Sequence, residues 1–434
     1  MPSSTKKIII RGGKFLGEGS YGCVFHPAIK KCNILNANTN TNSKQSNYVS
    51  KVFTDIAEAH KDFNQGKVMS RIDSNNDYTI VPVSMCELTL EELKNVEVEY
   101  GKCNKLAEEY MEYSDGIVQV VYSEKGIALD DYMKQNKLTV SNVLDIAEYL
   151  IKGVKFFKDN KVIHHDIKPP NIVITADNKP KYIDFGLSQE YSTFFEHAFG
   201  ANYRYWSKEM GLYEEIRGYV HPHDIRDLKY GACEIWKKKY SDTKEVFLEN
   251  MKTNRNIFAK YRKYFPDLFD GIMSKIYDEK IGCVYDASAK KMISSDINKI
   301  DKLFEPFLDK FDIFGVGRTI EDMLETVEDT PNNTSNSEYS KYEGLIKLVE
   351  QTTLSDPRKR MAVEDALSVV QSLRGQNMAR DARQTGGRTG GRKKVLLYKN
   401  EGKKSGANIK PKSGKTITNT NTKRKSRIHS VGSA

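Results

Sequence analysis

Two patterns of apolar and polar residues divide this chain. Before residue 130, short runs of strand character follow one another, in FLGEGSYGCVF, YVSKVF, TIVPV and GIVQVVY. After residue 138, apolar residues recur at intervals of three and four, first in TVSNVLDIAEYLIKGVKFFKDN, and predict helices. A small β-rich lobe followed by a larger helical one is an α+β arrangement with a cleft between the lobes.

Four segments fit neither pattern. Residues 33–47, NILNANTNTNSKQSN, hold too few apolar side chains to bury and predict a surface loop. Residues 86–112, rich in Glu, Lys and Tyr between two strand-like runs, predict a helical excursion or a long loop. Residues 214–305 carry aromatic and apolar positions at roughly helical spacing, as in VFLENMKTNRNIFAKYRKYF, and predict a mostly helical insertion. From Gln376 to Ala434 the chain runs through TGGRTGGRKK and TKRKSR, a composition that predicts disorder. No internal repeat is visible.

Charge sharpens the last boundary. The formal net charge is +10, yet from Gln376 onward 16 Lys and Arg face only Asp381 and Glu401. That tail carries +14, which leaves −4 for residues 1–375. Such a tail suits nucleic acid or another acidic partner, and equally plain solvation. Six cysteines without a C-x-x-C pair predict reduced thiols, hence an intracellular chain in cytoplasm or nucleus. No apolar run approaches a membrane span.

Candidate chemistry lies in four stretches. LGEGSYGCV spaces Gly17, Gly19, Gly22 and Val24 as G-x-G-x-x-G-x-V, which lets the backbone N–H groups of a hairpin approach phosphate oxygens. The candidate nucleotide contacts there are Leu16, Gly17, Glu18, Gly19, Ser20, Tyr21, Gly22 and Val24. YVSKVF puts Lys51 among apolar neighbours, where an ammonium can meet phosphate oxygens. VIHHDIKPPNIVI packs His164, His165, Asp166, Lys168 and Asn171 into a polar loop between apolar flanks, and KYIDFGL adds Asp184. Asn171 and Asp184 offer the hard oxygens that Mg²⁺ (or Mn²⁺) prefers beside substrate phosphates. Asp166 is then left to accept a proton from an attacking hydroxyl, and Lys168 to offset charge on a transferred group.

Together these residues resemble the eukaryotic protein kinase family. Gly17, Gly19 and Gly22 match its glycine loop, Lys51 its strand lysine, His164-His165-Asp166 with Asn171 its catalytic loop, and Asp184-Phe185-Gly186 its metal motif. Tyr205-Trp206-Ser207-Lys208-Glu209 is similar to Y-x-A-P-E, and Asp312 to Gly317 to the D-x-W-S-x-G opening of a buried central helix. Leu354 to Arg360 resembles the D-P-x-x-R element, whose last arginine, by the resemblance, pairs with Glu209. Lys168 followed by Pro169 resembles the serine/threonine type. The Asn-rich loop, the Tyr205-Trp206 pair and the large insertion resemble, more distantly, kinases of large DNA viruses.

The resemblance spans about residues 12–375. It implies a tail over 1–11, an N-lobe over 12–126, a C-lobe over 127–375 and a basic tail over 376–434, with ATP in the cleft. The implied reaction is Mg-assisted transfer of the ATP γ-phosphoryl group to a Ser/Thr hydroxyl of a protein substrate. Two alternatives stay open: an ATP-binding scaffold without transfer, and a kinase-like body serving a nucleic-acid-binding tail.

Several positions depart from the family pattern. Aligning Val68, Met69 and Ile72 puts Gln65 where the acid partner of Lys51 belongs, with Glu58 two turns earlier as the other candidate. The hinge falls at Val120-Val121-Tyr122-Ser123-Glu124, and Ser188, Ser192 and Thr193 are the hydroxyls available for modification in the activation segment. His165 stands where phosphorylation-switched kinases carry an arginine, and a histidine near neutral pH is a poor partner for a phosphate. It therefore predicts activity that does not depend on a phosphorylated activation segment. His221-Pro222-His223-Asp224 reads as a solvated loop before a metal site, because no fourth ligand lies nearby.

Overall fold

The computed structural model describes residues 13–19, 22–30, 32, 48–94, 100–106, 116–196, 203–220, 243–253, 256–281, 283–286, 291–295, 297–327 and 336–385. The loop expected over 33–47, the His221–Asp224 motif and the chain beyond Thr385 lie outside the described residues.

The strand-like runs form one antiparallel sheet from β1 (Lys14–Glu18), β2 (Gly22–His26), β3 (Val49–Phe53), β4 (Pro82–Leu88) and β5 (Ile117–Tyr122), in the order β1-β2-β3-β5-β4. Period-two alternation gives the sheet two buried faces. Helix α1 (Ile56–Ile72) packs with Phe53, Val118, Val120 and Tyr122 on one face. Its N-terminus is capped by Asp55, whose side chain accepts the Ala57 and Glu58 amides. Cys23, Phe25, Val52 and Ile117 on the other face are covered by Leu93, Cys103 and Leu106 from the excursion. Within that excursion the described residues form α2 (Leu90–Lys94) and two short 3₁₀ turns, while residues 86–88 still belong to β4.

The TIVPV run is split. Thr79 and Ile80 leave the sheet and bridge to the second lobe, where the Ile80 amide donates to the Tyr182 carbonyl and the Tyr182 amide to the Tyr78 carbonyl. That lobe begins with α3 (Leu129–Gln135) and α4 (Val140–Asp159), whose Thr139–Asn142 capping box sets its start. The short strands β6 (Gly126–Ala128), β7 (Val162–Ile163), β8 (Ile172–Thr175), β9 (Pro180–Tyr182) and β10 (Gln189–Glu190) carry the polar loops on its upper surface.

Below them lie α5 (Lys208–Val220), α6 (Lys244–Thr253), α7 (Asn256–Tyr264), α8 (Pro266–Asp278), the hairpin β11 (Cys283–Asp286)–β12 (Lys291–Ser295) and α9 (Ile297–Phe304). Met210, Tyr213, Phe247, Tyr261, Phe269 and Phe304 from these helices share one hydrophobic cluster, which accounts for the aromatic richness of 214–305. Helix α10 (Phe311–Glu325) runs through the centre of the lobe and is buried along most of its length. Helices α11 (Asn336–Thr352) and α12 (Val363–Thr385) pack outside it. Helix α12 runs to Thr385, past the boundary at Gln376, in keeping with the good helix formers of QNMARDAR.

The expectation of reduced thiols is not met. Cys23 pairs with Cys103 and Cys32 with Cys86. Sequence separations of 80 and 54 residues conceal these pairs, whereas the folded lobe brings their Cα atoms to 6.1 and 5.5 Å, within disulfide reach. With these bonds, cysteine usage does not point to an intracellular compartment. No helix among the described residues is long and apolar enough to cross a membrane.

Candidate active site

The loop between β7 and β8 is held from below by one carboxylate. Asp312, at the start of α10, accepts the His164 amide at 2.8 Å and the His165 amide at 2.9 Å. Burial pushes the Asp312 carboxyl above its usual range, against the pull of His164 and the two amides. These bonds hold His165 in the left-handed region at φ 69°, a conformation that costs about 1–3 kcal/mol for a non-glycine residue. Gly315, one turn along α10, lets the loop rest directly on the helix, since a Cβ there would lie 2.9 Å from the Ile167 carbonyl oxygen. The His164 ring ties the loop to the segment that follows β9, with Nε2 at 3.1 Å from the Ile183 carbonyl and the ring packed on Phe185.

On this support Asp166 is fixed by its neighbours. Its Oδ2 accepts from Lys168 Nζ at 2.7 Å and from Asn171 Nδ2 at 2.7 Å, and Asn171 Nδ2 also reaches the Asp166 carbonyl at 2.8 Å. Burial works against the Lys168 ammonium, but Asp166 outweighs it and raises the pKa. The Asn171 amide nitrogen is thus committed to Asp166, and its Oδ1 is the atom left for a cation. That donor, with the Asp184 carboxylate, fits a hard divalent ion.

Lys51 forms the second group. Its Nζ lies 3.3 Å from Asp184 Oδ1 and 3.4 Å from Asp62 Oδ2. Neither candidate partner on α1 is correct: Glu58 sits 3.9 Å from Lys61 at the surface, Gln65 is only half-buried, and Asp62 is the acid that faces Lys51. The buried stripe of α1 is Ala59, Asp62, Gly66 and Met69. Small residues set the helix close to the sheet, for a Cβ at Gly66 would fall 2.2 Å from Pro82 Cδ. An alignment on Val68, Met69 and Ile72 misses this register. An acid four residues before a glycine, on the stripe of small residues, was the available signal.

Asp184 also has a left-handed backbone, at φ 63°. Burial would raise its carboxyl, yet the nearby Lys51 ammonium outweighs that and lowers it. Asp62 goes the other way, raised because burial exceeds the help of Lys51. Between two carboxylates, the Lys51 ammonium is held charged despite its burial. The Ile183 amide donates to the Asn171 carbonyl at 3.0 Å, which sets Asp184 beside the Asp166–Lys168–Asn171 group.

At the roof, the Gly19 amide donates to the Gly22 carbonyl at 2.8 Å and closes the β1–β2 turn; Ser20 and Tyr21 lie outside the described residues. Gly17 falls at an irregularity in the β1–β2 pairing, and Val24 stands opposite Lys51. Leu16 is exposed. Glu18 faces the excursion, its Oε2 accepting the Asn104 amide at 3.0 Å. Of the expected hinge residues, Val120, Val121 and Tyr122 belong to β5, where Tyr122 is buried, and Glu124 pairs with Lys181 at 2.7 Å.

The activation segment brings a further correction. Ser188 is buried and donates to the His164 carbonyl at 3.2 Å, which removes it from the hydroxyls open to modification; Ser192 is exposed and Thr193 half-buried. The His165 ring stacks on Trp206 at 5.0 Å and meets Phe194 edge-on. Burial pushes its pKa down to about 4, so the imidazole is neutral at physiological pH. At the end of the segment Glu209 and Arg360, both fully buried, form a fork at 2.6 and 2.8 Å.

Comparison with known proteins points the same way as this geometry. Residues 11–225 match the protein kinase domain family. A stretch of 244 residues, 55% of this chain, is 26% identical to serine/threonine-protein kinase prpf4B of Dictyostelium discoideum, over 27% of that protein. A probable cell division protein kinase of Encephalitozoon cuniculi is 34% identical over 77 residues, which cover 18% of this chain and 28% of the relative. Cyclin-dependent kinase 20 of Danio rerio is 40% identical over 58 residues, 13% of this chain and 17% of the relative. The chain spans less than a third of the length of each of these relatives.

Proposed function

Since the chain belongs to the eukaryotic-type protein kinase superfamily, we propose that it is an active serine/threonine kinase, transferring the γ-phosphoryl group of ATP to a protein hydroxyl. The observation that carries this reading is the convergence of Lys51–Asp184 and Asp166–Lys168–Asn171 on one cleft. Asn171 and Asp184 would hold Mg²⁺ (or Mn²⁺), which when bound neutralises charge on the phosphates. Asp166 is aimed to accept the proton of the attacking hydroxyl, its direction set by Asn171. Lys168, bonded to the same carboxylate, offsets charge on the transferred group. Lys51 orients the nucleotide phosphates beneath the glycine loop of Leu16, Gly17, Glu18, Gly19, Ser20, Tyr21, Gly22 and Val24. Lys168, and relatives named as serine/threonine kinases, support that specificity over tyrosine. The acid beside Lys51 weakens the scaffold alternative, which rested on Gln65.

The test is transfer of labelled phosphate from ATP to generic protein substrates with Mg²⁺ or Mn²⁺. Label is expected on Ser and Thr, and Asp184→Ala should reduce it by about 10²-fold or more. Nucleotide binding without transfer under all these conditions refutes activity and favours the scaffold. Label on Tyr alone refutes the specificity.

A further inference from the structure

The acid that meets Lys51 is an aspartate, one methylene shorter than the glutamate expected by family resemblance, and its distance of 3.4 Å is long for a charge-assisted hydrogen bond. The ammonium alone does not place it. Tyr122 does: its hydroxyl donates to the same Asp62 Oδ2 at 2.5 Å, and the two side chains are buried together. Tyr122 is the last residue of β5, across from Val49, while Val120 stands across from Lys51. Period-two alternation therefore puts Tyr122 and Lys51 on one face of the sheet, the face that α1 covers. The phenol remains a donor, because burial and the adjacent Asp62 carboxylate push its pKa well above the ordinary value.

We propose that Tyr122 is a positioning residue for the nucleotide cleft: its hydroxyl fixes Asp62, and Asp62 in turn holds Lys51 between itself and Asp184. The proposal rests on the reading of that cleft as an ATP site. Without the hydroxyl, Asp62 keeps one polar partner at long range, and Lys51 turns toward Asp184. Both the phosphate-binding ammonium and the cation-binding carboxylate are then drawn from their tasks. A longer acid at position 62 reaches Lys51 without help, but only when the phenolic oxygen no longer occupies the space for the extra methylene.

The experiment measures ATP affinity of the full chain with Mg²⁺ by calorimetry, in the native protein, Tyr122→Phe, Asp62→Glu and the double variant. Thermal unfolding is followed in parallel. Tyr122→Phe should weaken ATP about tenfold, the scale of a hydrogen bond to a charged group. Asp62→Glu alone should weaken it as well, and the double variant should bind better than either single one. A loss of structure cannot produce such mutual rescue. If Tyr122→Phe does not fold, Asp62→Glu against the double variant still decides the matter. Affinity within twofold of native for Tyr122→Phe overturns the proposal, as does a double variant weaker than both single ones. Because the readout is binding, a native protein that binds ATP without transferring phosphate refutes the proposed activity and leaves this test intact. A native protein that binds no ATP overturns both.

Discussion

Cutting one side of the Glu209–Arg360 fork should be among the most damaging single changes in the C-lobe. Neither side chain is exposed, and Arg360 has every arm engaged. Nη1 and Nη2 reach the two Glu209 oxygens at 2.6 and 2.8 Å, while Nε, Nη1 and Nη2 donate to the carbonyls of Leu354, Lys310 and Ser355 at 2.9, 2.9 and 3.3 Å. The guanidinium also lies over the Phe314 ring at 4.9 Å. Glu209→Ala leaves this cation hydrogen-bonded by carbonyls yet without a counter-charge, a situation that costs about 3–5 kcal/mol. Removing both partners, as Glu209→Leu with Arg360→Met, abolishes the buried charge but orphans three carbonyls. At roughly 1 kcal/mol each, those carbonyls keep the double variant about 3 kcal/mol below the native protein. The double loss should therefore be no larger than that of Glu209→Ala alone. Urea denaturation followed by tryptophan fluorescence and circular dichroism reads both numbers, provided the two probes coincide. A loss below about 1 kcal/mol for Glu209→Ala, or additive losses in the double variant, would show that the buried pair does not stabilise the C-lobe in this way.

Two further outcomes follow from buried groups. With its folded pKa lowered to about 4, His165 stays neutral while the unfolded histidine takes a proton. Its contribution is complete above the unfolded value near 6.5 and is lost as pH falls toward 4, by about 3 kcal/mol in all. His165→Phe removes the titration but keeps an aromatic ring against Trp206 and Phe194, so between pH 7 and 4.5 the denaturation midpoint of the native protein should fall relative to that of the variant; parallel profiles would contradict the assignment. The same neutral ring offers no cation to a phosphate, so Ser192→Ala with Thr193→Ala should retain transfer, and its abolition in folded protein would reverse that reading. In the N-lobe, cross-links over 80 and 54 residues should each stabilise by about 4 kcal/mol. Alkylation of unreduced protein followed by mass spectrometry should recover the two bonded peptide pairs, and alkylation of all of Cys23, Cys32, Cys86 and Cys103 would exclude them.

What the sequence made legible was local. His164, Asp166, Lys168, Asn171 and Asp184 lie on a strand–loop–strand unit, where spacing alone determines which side chains meet. The partner of Arg360 was legible for another reason, as a paired motif that the resemblance supplied. Asp62, the two cysteine pairs and the burial of Ser188 were hidden, because each depends on how separate elements approach. For α1 that approach is governed by what is missing, the side chain of Gly66 over Pro82, and periodicity of apolar residues cannot register an absence. The departures around Lys51 then form one compensating set. A short acid needs a helix drawn close, a close helix needs glycine at the contact, and a carboxylate 3.4 Å from its ammonium needs a second donor, which β5 supplies through Tyr122. Restoring the longer acid alone should therefore harm the cleft, since it would meet a helix and a hydroxyl already placed for the shorter one.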